Sequence, residues 1–191
     1  MLSIVVSMIL PAYVYVNRMS EILNSCQLEL PVVAHNALES LEILSIQSNR
    51  EHDVSEFCNS FFGIELGFGE MLGNNQLRAI RHWPHKVYVI SEDSQIPQIE
   101  SAYAGLLTDI SDAYCKLTLS GKTALLFLGQ SCPLEFRSNL HLKKTVKTLC
   151  GKYPIIVWWD SDVELKLLIE RSLLQSFRDY LTLLADRFCL G

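Results

Sequence analysis

Four carboxylates stand where a metal ion could be held. Glu92 and Asp93 follow the apolar run KVYVI at 86–90, and Asp160 and Asp162 follow IIVWW at 155–159. Read as strands, these runs place the acids just beyond their carboxyl ends, where α/β sheets bind ligands. Oxygen ligands converging there from Glu92, Asp160 and Asp162 would suit Mg²⁺ and chemistry on phosphate esters. The same residues also have a purely local reading. Asp160 or Ser161 can cap a following helix, with Asp162 complementing its dipole.

The order of these acids, one after a strand and a DxD after a later strand, resembles the Toprim pattern of nucleases, primases and topoisomerases. That resemblance implies metal-dependent phosphoryl chemistry at Glu92, Asp160 and Asp162. Two departures stand in the sequence: no glycine follows Glu92, and Val163–Glu164 follows Asp162. Cys132, in GQSCPLEFR, lies after an apolar run with Arg137 five positions on. A thiol at a helix start beside a cation can be activated. Its Cys-x4-Arg spacing resembles the rhodanese loop, but Pro133, Leu134, Glu135 and Phe136 fill that loop with bulk and a negative charge. A half-buried, inert thiol is the favoured reading.

Two further groups suggest binding rather than catalysis. Arg137, His141 and Lys144 recur at helical spacing, with Lys143 and Lys147 alongside, giving a basic face for an anion or an acidic partner. Near the C-terminus, Leu173, Phe177, Tyr180 and Leu184 form one apolar stripe, and Leu167, Leu174, Leu181 and Phe188 form another. A helix packed on a sheet needs one such stripe. Two imply cover from a second side, either by the first half of the chain or by another copy of it.

The elements expected to position these residues make an α/β fold, a small mostly parallel sheet with crossover helices over 86–191. Strands are expected at 86–90, 123–128 and 153–159. Helices are expected across 96–117, from Ser131 to Cys150, and from Asp160 almost to the end. Residues 19–85 read as a helical domain, with an amphipathic helix over 34–47, a second over 54–62 closed by Gly63, and a short basic one at 76–82. Residues 1–18 are an apolar N-terminal segment whose uncharged run, Met1–Val16, falls short of a membrane span and contains Pro11. It reads as a buried strand, a start-site extension or a weak anchor, and membrane association is expected only in the last case.

Composition narrows the function classes. The 191 residues are 49% hydrophobic and 19% charged, which suits a globular chain. The net charge of −5 lies in residues 1–85, with 4 basic and 9 acidic residues; residues 86–191 carry 12 of each. An acidic first half argues against a nucleic-acid surface there, although its expected helices give a helix-turn-helix layout. Six scattered cysteines without CxxC pairs suggest reduced thiols and a cytoplasmic protein. The sequence reading is therefore a non-catalytic regulatory or protein-interaction protein without a cofactor. It self-associates as a homodimer through the C-terminal helix or binds a protein partner. The first alternative is a Mg²⁺-dependent phosphoesterase or nuclease-like enzyme; the second is a helix-turn-helix DNA-binding transcription regulator.

Overall fold

The computed structural model describes residues 32–34, 41–63, 65–73, 77–92, 96, 105–133, 145–161 and 164–190. In chain order these form β1 (Val32–Ala34), β2 (Glu42–Gln47), α1 (Glu51–Phe62), β3 (Glu70–Gly73), β4 (Leu77–Trp83), β5 (Lys86–Ser91), β6 (Leu106–Asp109), β7 (Tyr114–Ser120), α2 (Ala124–Gly129), β8 (Thr145–Cys150), β9 (Tyr153–Ser161), β10 (Glu164–Glu170) and α3 (Leu174–Leu190). The strands make two five-stranded sheets, ordered β1-β7-β10-β9-β8 and β3-β4-β5-β2-β6. Every pairing in them is antiparallel.

This overturns the expected parallel sheet with crossover helices and the helical N-terminal region. The reason lies in periodicity. The stripe drawn from Ile96 to Leu117 treated Tyr114 and Leu117 as one helical face. Tyr114–Ser120 in fact alternates, burying Cys115, Leu117 and Leu119 on one side of the sheet. Likewise 164–170, assigned to the last helix, is the strand ELKLLIE, paired with β9 through a short hairpin. Gln76–His82 and the end of the 34–47 helix are strands β4 and β2. TALLFL at 123–128 goes the other way and enters helix α2, as its leucines and alanine favour. The readings at 86–90, 153–159 and 54–62 fall on β5, β9 and α1.

Three buried layers hold the elements together. Side chains of alternating parity on β4, β5 and β2 send Ala79, Val87, Val89 and Ile46 toward α1, which packs Val54, Phe57 and Cys58 against them. The opposite parity sends Ile43, Ile80, Tyr88 and Ile90 onto Ile156, Trp158 and Leu168 of the other sheet. Beyond that sheet, Leu117, Leu119, Val157, Leu165 and Leu167 meet Phe127 and Leu128 of α2 and Phe177, Leu181, Leu184 and Phe188 of α3. The order of layers is thus helix, sheet, sheet, helices. Hydrogen-bonded pairing crosses residue 85, because β5 lies between β2 and β4. Among the described residues no helix is long and apolar enough to cross a membrane.

Candidate functional site

The sheet-to-sheet layer buries two lysines. Lys116 on β7 and Lys166 on β10 occupy adjacent antiparallel strands of one sheet, on the face turned toward the other. Their ammonium groups are only 7% and 9% exposed as side chains. Glu92, just past the end of β5, inserts between them. Its Oε2 accepts from Lys116 at 2.8 Å, and Lys166 donates to Oε1 at 3.2 Å and Oε2 at 3.3 Å. One carboxylate thus compensates two buried ammonium groups and links the end of β5 in one sheet to β7 and β10 in the other. Further along the same layer Trp158 is fully buried, with the Arg78 guanidinium 5.7 Å above its ring.

The other end of the layer is aromatic. Trp83 packs on Tyr88 at 4.9 Å and Tyr88 on Tyr114 at 5.8 Å, with the two phenol oxygens 3.3 Å apart. Burial, reinforced by the Tyr114 hydroxyl, pushes the Tyr88 phenol well above its ordinary range. Lys147 lies 4.3 Å over Trp83. Beside it His82 Nε2 and Thr145 Oγ1 are 2.9 Å apart. Burial, and then the Lys147 charge, lower the His82 imidazole to about 4, so the ring is neutral at physiological pH. Beyond Tyr114 a cavity of about 530 Å³ opens between Asp112, Glu170 and Arg171, whose Nε donates to the Asp112 carbonyl at 2.7 Å.

The described residues do not assemble the carboxylate centre expected from the sequence. Glu92 is committed to Lys116 and Lys166. Asp160 lies in β9 and leads into a hairpin, so it does not cap the last helix. Asp162, like Asp93, falls outside the described residues. Among the described residues no group of three His, Cys, Asp or Glu side chains could hold a metal ion. The two lysines that engage Glu92 were missed. Alternation in YCKLTLS and ELKLLIE sets each lysine on the face opposite Leu117, Leu119, Leu165 and Leu167, which by itself reads as a solvent face, so the sequence carried no signal for them.

The binding residues are placed as follows. Arg137, His141, Lys143 and Lys144 lie outside the described residues. Lys147 is on strand β8, so it does not continue a helical basic face. Phe177 and Leu184 are buried in the chain's own core, and Leu173 and Tyr180 pack against it. The two stripes read along the C-terminal segment merge into one face, since Phe177, Leu181, Leu184 and Phe188 follow one another at intervals of four, three and four. Leu167, assigned to the second stripe, belongs to β10. The helix-turn-helix layout is not formed either, because α1 is followed by strands β3 and β4. Cys132 is half-buried after α2.

No protein-family model matches the chain, and no curated protein matches it in sequence. Its fold is similar to that of a chain of heterotetrameric sarcosine oxidase from Corynebacterium sp. U-96, solved in complex with pyrrole 2-carboxylate. The TM-score is 0.66 at 16% identity, over 91% of this chain and 93% of that one. The aminomethyltransferase T of the glycine cleavage system from Bartonella henselae is also similar, with a TM-score of 0.58 at 10% identity over 86% of this chain. This chain spans about half (48%) of the length of that enzyme. At these identities the likeness is one of fold.

Proposed function

We propose that this chain is a non-catalytic protein-interaction subunit that works by joining another protein through the edge of its second sheet. The observation that carries the reading is β6. All four of its residues are exposed, Leu106 at 63% and Leu107 at 36%. Successive strand residues point to opposite faces, so two exposed leucines in a row mean that the described residues cover neither face fully there. Among the described residues β6 pairs only with β2, which leaves one row of its backbone groups at the edge of the sheet. Open apolar edges are what folded proteins ordinarily protect with charge, proline or a partner chain. Adding a partner's strand there would supply main-chain hydrogen bonds and cover both leucines.

The near end-to-end likeness to one chain of an enzyme whose name describes four subunits supports a subunit role. The free thiols of Cys58, Cys115, Cys132 and Cys150 suit a reducing, cytoplasmic setting. A second copy of the chain is the alternative occupant of the edge. The test is affinity purification from the native source beside light scattering of the pure protein, using wild type and Leu106→Lys/Leu107→Lys. Because both leucines are exposed, the double variant should melt at the wild-type temperature while losing a stoichiometric partner chain. A wild type that is monomeric and partner-free, or a variant that keeps its partner, would overturn the proposal.

A further inference from the structure

We propose that Cys132 and Cys150 are a redox pair that closes to a disulfide when the chain meets a hydroperoxide. Both thiols are free in this structure. The Gly151 N–H donates to the Ser131 carbonyl at 2.8 Å, so residue 131 sits directly against residue 151. The two cysteines are the next residue along the first segment and the preceding one along the second. That bond sets residues 132 and 150 side by side on adjoining segments, the placement a disulfide requires. Cys150 is fully buried and Cys132 packs against the same core cluster from its half-exposed side. The neighbouring Cys132 thiol together with burial holds the Cys150 thiol above its ordinary range.

This asymmetry assigns the roles. Cys132 is the accessible group, and as thiolate it attacks one peroxide oxygen. The O–O bond breaks, the leaving oxygen departs protonated as water or an alcohol, and Cys132 becomes a sulfenic acid. The Cys150 sulfur then attacks that sulfur. The S–O bond breaks, the S–S bond forms, and the departing hydroxide leaves as water with the Cys150 proton. Two thiols are oxidised by two electrons in all, and the hydroperoxide is reduced by the same two. The closed loop ties the end of α2 to the β8–β9 turn. It also fixes both ends of the stretch that carries Arg137, His141, Lys143 and Lys144 in the sequence.

The test is treatment with hydrogen peroxide, alkylation of remaining thiols, and peptide mapping without reductant, with thermal melts of the same samples. The expected result is a Cys132–Cys150 cross-linked peptide that dithiothreitol removes, and a melting temperature raised by about 5 °C or more. Cys132→Ser should give neither. Cys150→Ala should instead leave Cys132 trapped as a sulfenic or sulfinic acid. Should that core variant fail to fold, the half-buried Cys132→Ser still decides the matter. Oxidation of Cys132 to sulfinic acid in wild type with Cys150 still alkylatable, or cross-linking of Cys132 to a different cysteine, would overturn the pairing.

Discussion

At the scale of single residues, the molecule places its charges where removing one partner is costly. Glu92 compensates two ammonium groups that are almost wholly buried. Glu92→Gln keeps the shape and removes the charge, leaving both lysines to be desolvated with less compensation. We expect it to lower the unfolding free energy by about 3 kcal/mol in urea titrations. A change below about 1 kcal/mol would mean that water already reaches the cluster. His82 is a titration of the opposite kind. Its folded-state value of about 4 lies below the unfolded value of 6.5, so the unfolded chain binds the proton more readily. The stability held by the neutral ring is complete above about pH 6.5 and is lost as pH falls through 4. Between pH 7 and pH 4.5 the wild type should lose about 2 kcal/mol more than His82→Gln, which can keep a hydrogen bond to Thr145 without titrating.

At the scale of elements, two glycines separate backbone strain from crowding. Gly63 closes α1 with φ +71°, its N–H bonded to the Asn59 carbonyl at 2.9 Å, and an added Cβ would meet open space. Gly63→Ala should therefore cost only the left-handed penalty, about 1 kcal/mol. Gly73 ends β3 with φ +113°, and a Cβ there would collide with the Leu77 carbonyl across the β3–β4 turn. Gly73→Ala should cost distinctly more than Gly63→Ala in the same denaturation series, because the hairpin backbone must shift as well.

The same contrast explains what the sequence shows of the elements. α1 was legible because Val54, Phe57, Cys58 and Phe61 repeat at helical spacing and a glycine follows. β5 and β9 were legible because they are apolar runs rich in β-branched and aromatic side chains. β7 and β10 were not, since their leucines sit close enough together to mimic a helical face once Tyr114 or Leu167 is drafted into it. Glu92 was legible as a chemical residue but not its role. That role depends on Lys116 and Lys166 arriving from strands β7 and β10, and no spacing within the sequence reports that pairing.

At the scale of the whole molecule, stability depends on the middle layer, because it alone is common to both sheets. α1 packs on the outer face of one sheet, and α2 and α3 on the outer face of the other. The inner faces meet through Ile43, Ile80, Tyr88, Ile90, Ile156, Trp158 and Leu168. Trp158 is the largest fully buried side chain in that layer, and its indole Nε1 finds no hydrogen-bond partner among the described residues. Trp158→Ala should open a cavity between the sheets and cost about 3–5 kcal/mol. Hydrogen exchange should then rise together in β5 and β9, which lie in different sheets. Trp158→Phe removes volume but also removes the orphaned donor, so part of the cavity cost is offset and the loss should fall to about 1–2 kcal/mol. If Trp158→Ala instead raised exchange in β9 alone, the two sheets would be folding units of their own. Glu92 and its lysines would then be the main tie between them.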